Sequence, residues 1–304
     1  MAGYYYEKYN TNGDSMKRIY MAGAGGMLGK AFYGQFKGSY LLRCSDIDVN
    51  EDWLQYCDIR DFVSYRRSVM DFMPDYLFHL GAITDLEACE RDQDNAYATN
   101  TSSVHSAIGI SNSLDIPLLF ISTAGIFDGK KAFYDEHDIP NPLSVYAQTK
   151  AISEHAVLTL AKRGLVCRAG WMFGGHDKDK KFVAKIVKQN CLNSSHIYVV
   201  DDKDGTPTYT VDFAKNTRIL IETSQHGLFN MVNNGLTSRF EVADEILKII
   251  ESDKKLIKVS SSYFAKQYSA PRPACERLIN KRLNDLGMNQ MRDWNVALRE
   301  YLKN

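Results

Sequence analysis

The sequence has no surplus of charge: 37 Lys and Arg stand against 37 Asp and Glu in 304 residues. Without a basic excess or a long Lys/Arg cluster, nothing argues for nucleic acid or an anionic membrane surface as a partner. No apolar run approaches the roughly 18 residues that a membrane span needs. The first stretch, MAGYYYEKYNTNGDS, has neither a basic start nor an apolar segment, so it reads as a flexible leader and not as a secretory signal. Residues 1–16 are taken as that leader, with Met16 as the natural start of the folded part. Cysteine is scattered at positions 44, 57, 89, 167, 191 and 275, with no C-x-x-C pair and no metal-ligand spacing. That pattern points to reduced thiols, a cytoplasmic protein and no metal. What remains is ordinary globular composition, 44% hydrophobic and 24% charged, at a length that suits one large α/β unit or a domain with a smaller companion.

From residue 17 short apolar runs alternate with amphipathic stretches. RIYMAG (18–23), YLLRCSD (40–46), DYLFHLGA (75–82), IPLLFIST (116–123) and GLVCRAGW (164–171) read as strands, and 94–113 and 144–163 read as helices. Strands alternating with helices of this length predict parallel βαβ units, a Rossmann-type doubly wound sheet over 17–171. The period then changes. Residues 176–189 and 239–252 read as helices around short strands, and prolines 271 and 273 precede a final helical hairpin. Residues 172–304 are therefore expected to form mainly a smaller mixed α/β substrate-binding lobe, with segments returning to the first sheet.

Directly after the first strand, Gly23, Gly26 and Gly29 are spaced G-x-x-G-x-x-G, with Met27 and Leu28 opening the next helix. Strand, glycines, then helix is the context that gives the pattern value: main-chain N–H groups approach a pyrophosphate, and the helix start adds about half a positive charge. Asp46 ends the second strand, where a carboxylate binds adenosine ribose hydroxyls. It repels a 2′-phosphate and so favours NADH slightly over NADPH, although Arg43 is near in sequence. In SVYAQTK, Tyr146 and Lys150 are four apart and share one helix face. A free tyrosine has a pKa of about 10, and a fixed cation nearby would pull it down towards the range of a general acid–base. The same spacing also occurs on plain half-exposed helix faces. Ser122 and Thr123 end a strand at the sheet's carboxyl edge, where such folds bind ligands, and strand-end capping is their other reading.

Taken together, the glycine turn, the Ser/Thr strand end and Tyr-x-x-x-Lys resemble the extended short-chain dehydrogenase/reductases. More narrowly, the chain from about Lys17 onward resembles the dTDP-4-dehydrorhamnose reductase family. ISTAGIFDG (121–129), YDEHDIPNPLSVYAQTKAISEH (134–155), CRAGWMFG (167–174), DDKDGTPTY (201–209) and APRPACERL (270–278) carry the likeness. The resemblance implies that Tyr146 donates a proton to a sugar ketone, Lys150 binds the nicotinamide ribose, and Thr123 hydrogen-bonds the carbonyl. Asp58 and Ile59 would flank adenine, and Gly81 and Ala82 would line the cofactor. Thr84, Ser122, Trp171, Thr208 and Arg272 would lie on the nucleotide-sugar side, the guanidinium of Arg272 suiting a diphosphate; Trp171 could equally be core.

The chain departs from the family where Ala124 and Gly125 replace Asp-Tyr, where Ala147 replaces Gly, and where Glu276 stands at a common Ser. The cofactor machinery looks intact and the substrate pocket altered. The implied activity is NADH- or NADPH-dependent reduction of a nucleotide-activated 4-keto-6-deoxy sugar, for deoxysugar supply. A second copy of the chain, in a homodimer, is the protein partner the resemblance allows. Alternatives are a sugar-nucleotide epimerase or dehydratase that retains NAD, and a non-catalytic subunit reusing the fold.

Overall fold

The computed structural model describes residues 16–303; the expected leader lies almost wholly outside them. The first half runs β1 (Arg18–Ala22), α1 (Met27–Phe36), β2 (Leu41–Asp46), β3 (Leu54–Tyr56), α2 (Phe62–Phe72), β4 (Tyr76–His79), α3 (Leu86–Arg91), α4 (Gln93–Tyr97), α5 (Ser103–Leu114), β5 (Leu118–Thr123), α6 (Val145–Leu160) and β6 (Gly164–Ala169). The remainder runs β7 (Trp171–Phe173), α7 (Phe182–Asn190), β8 (His196–Val200), β9 (Asp204–Gly205), β10 (Pro207–Tyr209), α8 (Thr210–Glu222), β11 (Gly227–Asn230), β12 (Thr237–Ser238), α9 (Arg239–Ile249), β13 (Lys255–Val259), β14 (Cys275–Glu276), α10 (Lys281–Asp285) and α11 (Trp294–Lys303).

Seven strands form one parallel sheet in the order β11-β6-β5-β4-β1-β2-β3, so the fold is a Rossmann-type α/β architecture. Alternate residues of a strand face opposite sides, and both sides of this sheet are covered. From β1, Ile19 and Met21 join Phe32, Phe36, Phe78 and Phe213 on one face, while Tyr20 and Ala22 join Tyr65, Leu77, Phe120 and Val166 on the other. Each fully buried side chain of this size stabilises the fold by about 1.5–3 kcal/mol. Both α8 and β11 come from the second half of the sequence, and Phe213, Leu220 and Phe229 complete the first face. A separate cluster, with Phe173, Val183, Ile186, Ile197, Val242, Ile246 and Leu298, holds α7, α9, α11 and β8 together.

The order of strands reverses between β1 and β4, and a ligand crevice opens at the carboxyl ends beside such a switch point. Two expected helices differ from prediction. The 94–113 stretch is α4 and α5 joined through a π-helical turn at Ala98–Ser102. The 176–189 stretch is a 3₁₀ turn at His176–Lys178 and α-helical only from Phe182; between them the Asp179 carboxylate turns inward to the Tyr301 hydroxyl (3.2 Å) and the Lys181 N–H (2.8 Å). Gly175 and His176, both at positive φ, make the preceding turn.

Candidate active site

The glycine turn joins the two central strand ends. Gly23 has φ +77°, and a β-carbon there would lie 2.1 Å from Gly81 Cα, so β1 and β4 meet with no room for a side chain. Ile59 closes the same contact, its Cδ1 standing where a Gly81 side chain would be, and Ala82 follows on the half-buried edge. Gly29 rests against the Ala24 carbonyl and Leu28 against the core, while Met27 starts α1 beside Gly175. Where Asp61 caps α2 and a Ser238–Glu241 box caps α9, α1 has Gly26 as its N-cap, no side-chain cap and no acid in its first turn. A β-carbon on Gly26 would meet open space. An uncapped ten-residue helix start behind an open glycine fits the pyrophosphate of a dinucleotide. The Asp46 carboxylate is fixed by N–H groups of Gly25 (2.8 Å) and Asp48 (3.0 Å). Arg43 points elsewhere, over the Phe72 ring at 4.7 Å. Asp58 is held by Arg60, whose hydrogen bonds keep its carboxyl below the usual range.

Across the turn, α6 begins under a double cap: Ser144 accepts from Ala147 N–H (3.2 Å) and Glu90 from Val145 N–H (2.9 Å). This fixes Tyr146 in the first turn, next to the end of β5. There Thr123 faces the cleft and accepts from Gly125 N–H (3.1 Å), whereas Ser122, its neighbour on the opposite face, is buried with no partner for its hydroxyl among the described residues. Burial pushes the Tyr146 phenol up to about 12; a hydrogen bond with Thr123 opposes this, and the charges of Cys89 and Glu276 add to it. The sequence led to the opposite expectation, a phenol pulled down by Lys150. In the fold Lys150 is 4% exposed, its Nζ lies 4.0 Å over the Phe120 ring, and burial lowers its own pKa to about 7, Glu154 opposing. Its charge bears on His79, which burial and Lys150 together bring down to about 3.

Several groups around this pair carried no sequence signal. Ser103 donates to Thr99 O, so it accepts from His79 Nε2; the Nδ1 of that neutral imidazole accepts from the Tyr65 hydroxyl at 3.0 Å. Within the π turn, Asn100 ties the chain after β4 to α6, bonding Ile83 N–H (2.8 Å), Ile83 O (3.0 Å) and Thr149 (3.1 Å), while its carbonyl accepts from Ser153 (2.6 Å). π turns of this kind recur at functional sites. Glu154 and Arg168, 4% and 2% exposed, form a buried pair with bonds of 3.0 and 2.5 Å.

Trp171 stands on the other side of Thr123. A β-carbon on Gly205 would lie 2.2 Å from the indole ring, so only glycine admits the ring there. Thr208 is fully buried and accepts from Gly170 N–H (2.9 Å), which makes it a clamp on the Trp171 strand and not a group facing a ligand. Arg272 is engaged by a two-pronged pair with Glu87, both bonds 2.9 Å. Thr84 accepts from Lys181 (2.9 Å). The cation beside the indole is Arg239, unanticipated from sequence: it lies 3.7 Å from the Trp171 ring centre and 4.7 Å from that of Phe182, with its pKa brought down to about 10 by burial. No described residue accepts a side-chain hydrogen bond from it within normal range.

A glycine-turn crevice at the strand switch point, with a threonine and a tyrosine at its edge and a buried lysine one helical turn on, defines an extended short-chain dehydrogenase/reductase. More particularly, the chain belongs to the RmlD substrate binding domain family, whose model matches residues 16–304. It is 27% identical over 289 residues to the spore coat polysaccharide biosynthesis protein SpsK of Bacillus subtilis, covering 95% of this chain and 98% of that one. It is 28% identical to the dTDP-4-dehydrorhamnose reductase of Mycolicibacterium smegmatis, covering 93% and 84%. The crystal structure of the Bacillus anthracis dTDP-4-dehydrorhamnose reductase in complex with NADP superposes with a TM-score of 0.86 at 26% identity, covering 94% of this chain and 99% of that one.

Proposed function

We propose that this protein reduces the keto group of a nucleotide-activated 4-keto-6-deoxy sugar, in a reaction that supplies deoxysugars. The observation that carries the reading is the Thr123–Tyr146 pair at the carboxyl edge of β5, between the glycine turn and Trp171. Thr123 and Tyr146 hold the carbonyl oxygen between two hydroxyls, stabilising the charge that develops there. Tyr146 then gives its proton to that oxygen; a phenol raised to about 12 is fully protonated at neutral pH, as a donor must be. Lys150, held under Phe120, faces the ribose of the cofactor, and Trp171 backs the sugar. The bound nicotinamide supplies the hydride.

Gly23, Gly26, Met27, Leu28 and Gly29 hold the pyrophosphate, Asp46 the adenosine ribose, Asp58 and Ile59 the adenine, with Gly81 and Ala82 beneath. NADH is the cofactor this reading favours: the Asp46 carboxylate, held by the Gly25 N–H beside the glycine turn, would meet the adenosine ribose and repel a 2′-phosphate, and Arg43 is turned away. The Bacillus anthracis reductase was solved with NADP, so this preference belongs to this chain's own residues. Arg239 is the better candidate for the diphosphate than Arg272, which Glu87 already occupies.

The test is oxidation of NADH and NADPH, followed by absorbance, against 4-keto-6-deoxy sugars carried on dTDP, UDP, GDP and CDP. Turnover with one of them supports the reading and identifies the nucleotide. Cofactor binding without turnover on any of them would refute it.

A further inference from the structure

Two of the three departures from the family pattern, Ala124–Gly125 and Glu276, meet in space. Ala124 places its methyl in a buried cluster with Ile126, Phe127, Tyr134, Val232 and Leu278. Gly125 faces the catalytic threonine, and a β-carbon there would have Thr123 Oγ1 at 3.5 Å and Glu276 Oε1 at 3.3 Å. A bulky side chain at 125 would therefore occupy the space beside this carboxylate. The backbone fixes how Glu276 arrives: β14 pairs with β9 in parallel, setting Glu276 opposite Gly205, under the Trp171 ring. Glu276 Oε2 accepts from Trp171 Nε1 at 2.7 Å. Among the described residues none donates to Oε1, which lies with Thr123 Oγ1 around the open side of Gly125, close enough for its charge to bear on Tyr146.

A carboxylate is an acceptor only, and this oxygen of the half-buried Glu276, with no protein donor, is free to accept from a group bound in the cleft. In a 4-keto-6-deoxy sugar the carbonyl has two neighbours. Carbon 5 carries the methyl and the ring oxygen and offers no donor; carbon 3 carries a hydroxyl. We propose that Glu276 is a specificity-determining residue, its free oxygen accepting a hydrogen bond from the hydroxyl on carbon 3, so that the site selects 3-hydroxy keto sugars over their 3-deoxy counterparts. The inference rests on the reductase reading above and adds the substrate feature that this chain recognises.

Glutamine separates this role from a purely structural one. In Glu276→Gln the amide oxygen keeps the bond from Trp171, which turns the amide NH2 into the pocket and presents a donor where an acceptor stood. The experiment measures kcat and KM for the wild type, Glu276→Gln and Glu276→Ser on a matched pair of nucleotide sugars, 4-keto-6-deoxy and 4-keto-3,6-dideoxy, with melting temperatures alongside. The wild type is expected to prefer the 3-hydroxy sugar by about tenfold to a hundredfold in kcat/KM, the range for a hydrogen bond to a charged group. Glu276→Ser should lose most of that preference and Glu276→Gln a smaller part, because the amide NH2 can still donate a neutral hydrogen bond to the sugar hydroxyl; both should melt near the wild type, with the loss falling chiefly on KM for the 3-hydroxy sugar. Equal use of both sugars by the wild type, or an unchanged ratio in Glu276→Ser, would overturn the assignment and leave the reductase reading standing. If the wild type reduced neither sugar, the reductase reading would fall, and this inference with it.

Discussion

Removing the carboxylate of Glu154 tests how the sheet edge and the helix that carries Tyr146 are held together. Glu154 lies on α6, one turn after Lys150, and Arg168 lies on β6; their side chains are 4% and 2% exposed. The guanidinium donates twice to the carboxylate, at 3.0 and 2.5 Å, and stacks over Phe127 at 5.0 Å. In Glu154→Ala the guanidinium stays buried without its counter-charge, a loss of about 3–5 kcal/mol for a broken buried pair. Unfolding a chain of this length carries an entropy of roughly 0.6 kcal/mol/K, so the melting temperature should fall by about 5–8 °C. Replacing both partners, Glu154→Leu with Arg168→Met, should recover most of the loss, since no charge is then stranded. Glu154 also holds the Lys150 charge up against burial, so Glu154→Gln should move an alkaline limb of the activity profile to lower pH. Melting by circular dichroism and a pH–rate profile provide the readouts. A Glu154→Ala variant within 1 kcal/mol of the wild type, or a double variant no better than the single one, would refute the reasoning.

Three further outcomes are expected. His79 is neutral in the fold, its pKa near 3 against an ordinary value near 6.5, so the unfolded chain takes up its proton first as pH falls and stability is lost from about pH 6.5 downward. Unfolding free energies of the wild type and His79→Gln from urea titration should converge by about 3 kcal/mol between pH 7 and 4, and parallel curves would contradict this. Gly205→Ala drives a methyl into the Trp171 ring and should cost about 1–3 kcal/mol in thermal unfolding while raising KM for the sugar. Asp46→Ser should raise the use of NADPH relative to NADH; an unchanged ratio of kcat/KM would remove Asp46 from the ribose site.

The parts of the fold and site that were legible in sequence are those governed by local chemistry. The β1 strand and the glycines after it follow from an apolar run and a turn with no room for side chains. Tyr146 and Lys150 follow from helical spacing, and Thr123 from a strand end. What stayed hidden depends on partners far along the chain. The environment of Lys150 is set by Phe120, His79 and Glu154, so its charge does not govern the phenol as spacing alone suggested. Asn100 is one asparagine in an unremarkable helical stretch, and only the π turn shows why it reaches both Ile83 and Thr149. Arg272 and Arg239 look alike in sequence; only the fold pairs Arg272 with Glu87 and sets Arg239 against the Trp171 and Phe182 rings. Thr208 sits in a motif that resembles a binding segment, yet its hydroxyl goes to Gly170 because β10 pairs with β7.

The most direct test of the central claim is isotope transfer. The protein is incubated with reduced nicotinamide carrying deuterium at the transferable position and with the keto sugar nucleotide that it accepts, and the product is read by NMR and mass spectrometry. One deuterium on the former carbonyl carbon, with stoichiometric oxidised cofactor released, and loss of both in Tyr146→Phe with cofactor affinity retained, is the predicted result. A product without deuterium, or a sugar changed in configuration with the cofactor returned unoxidised, would contradict the account.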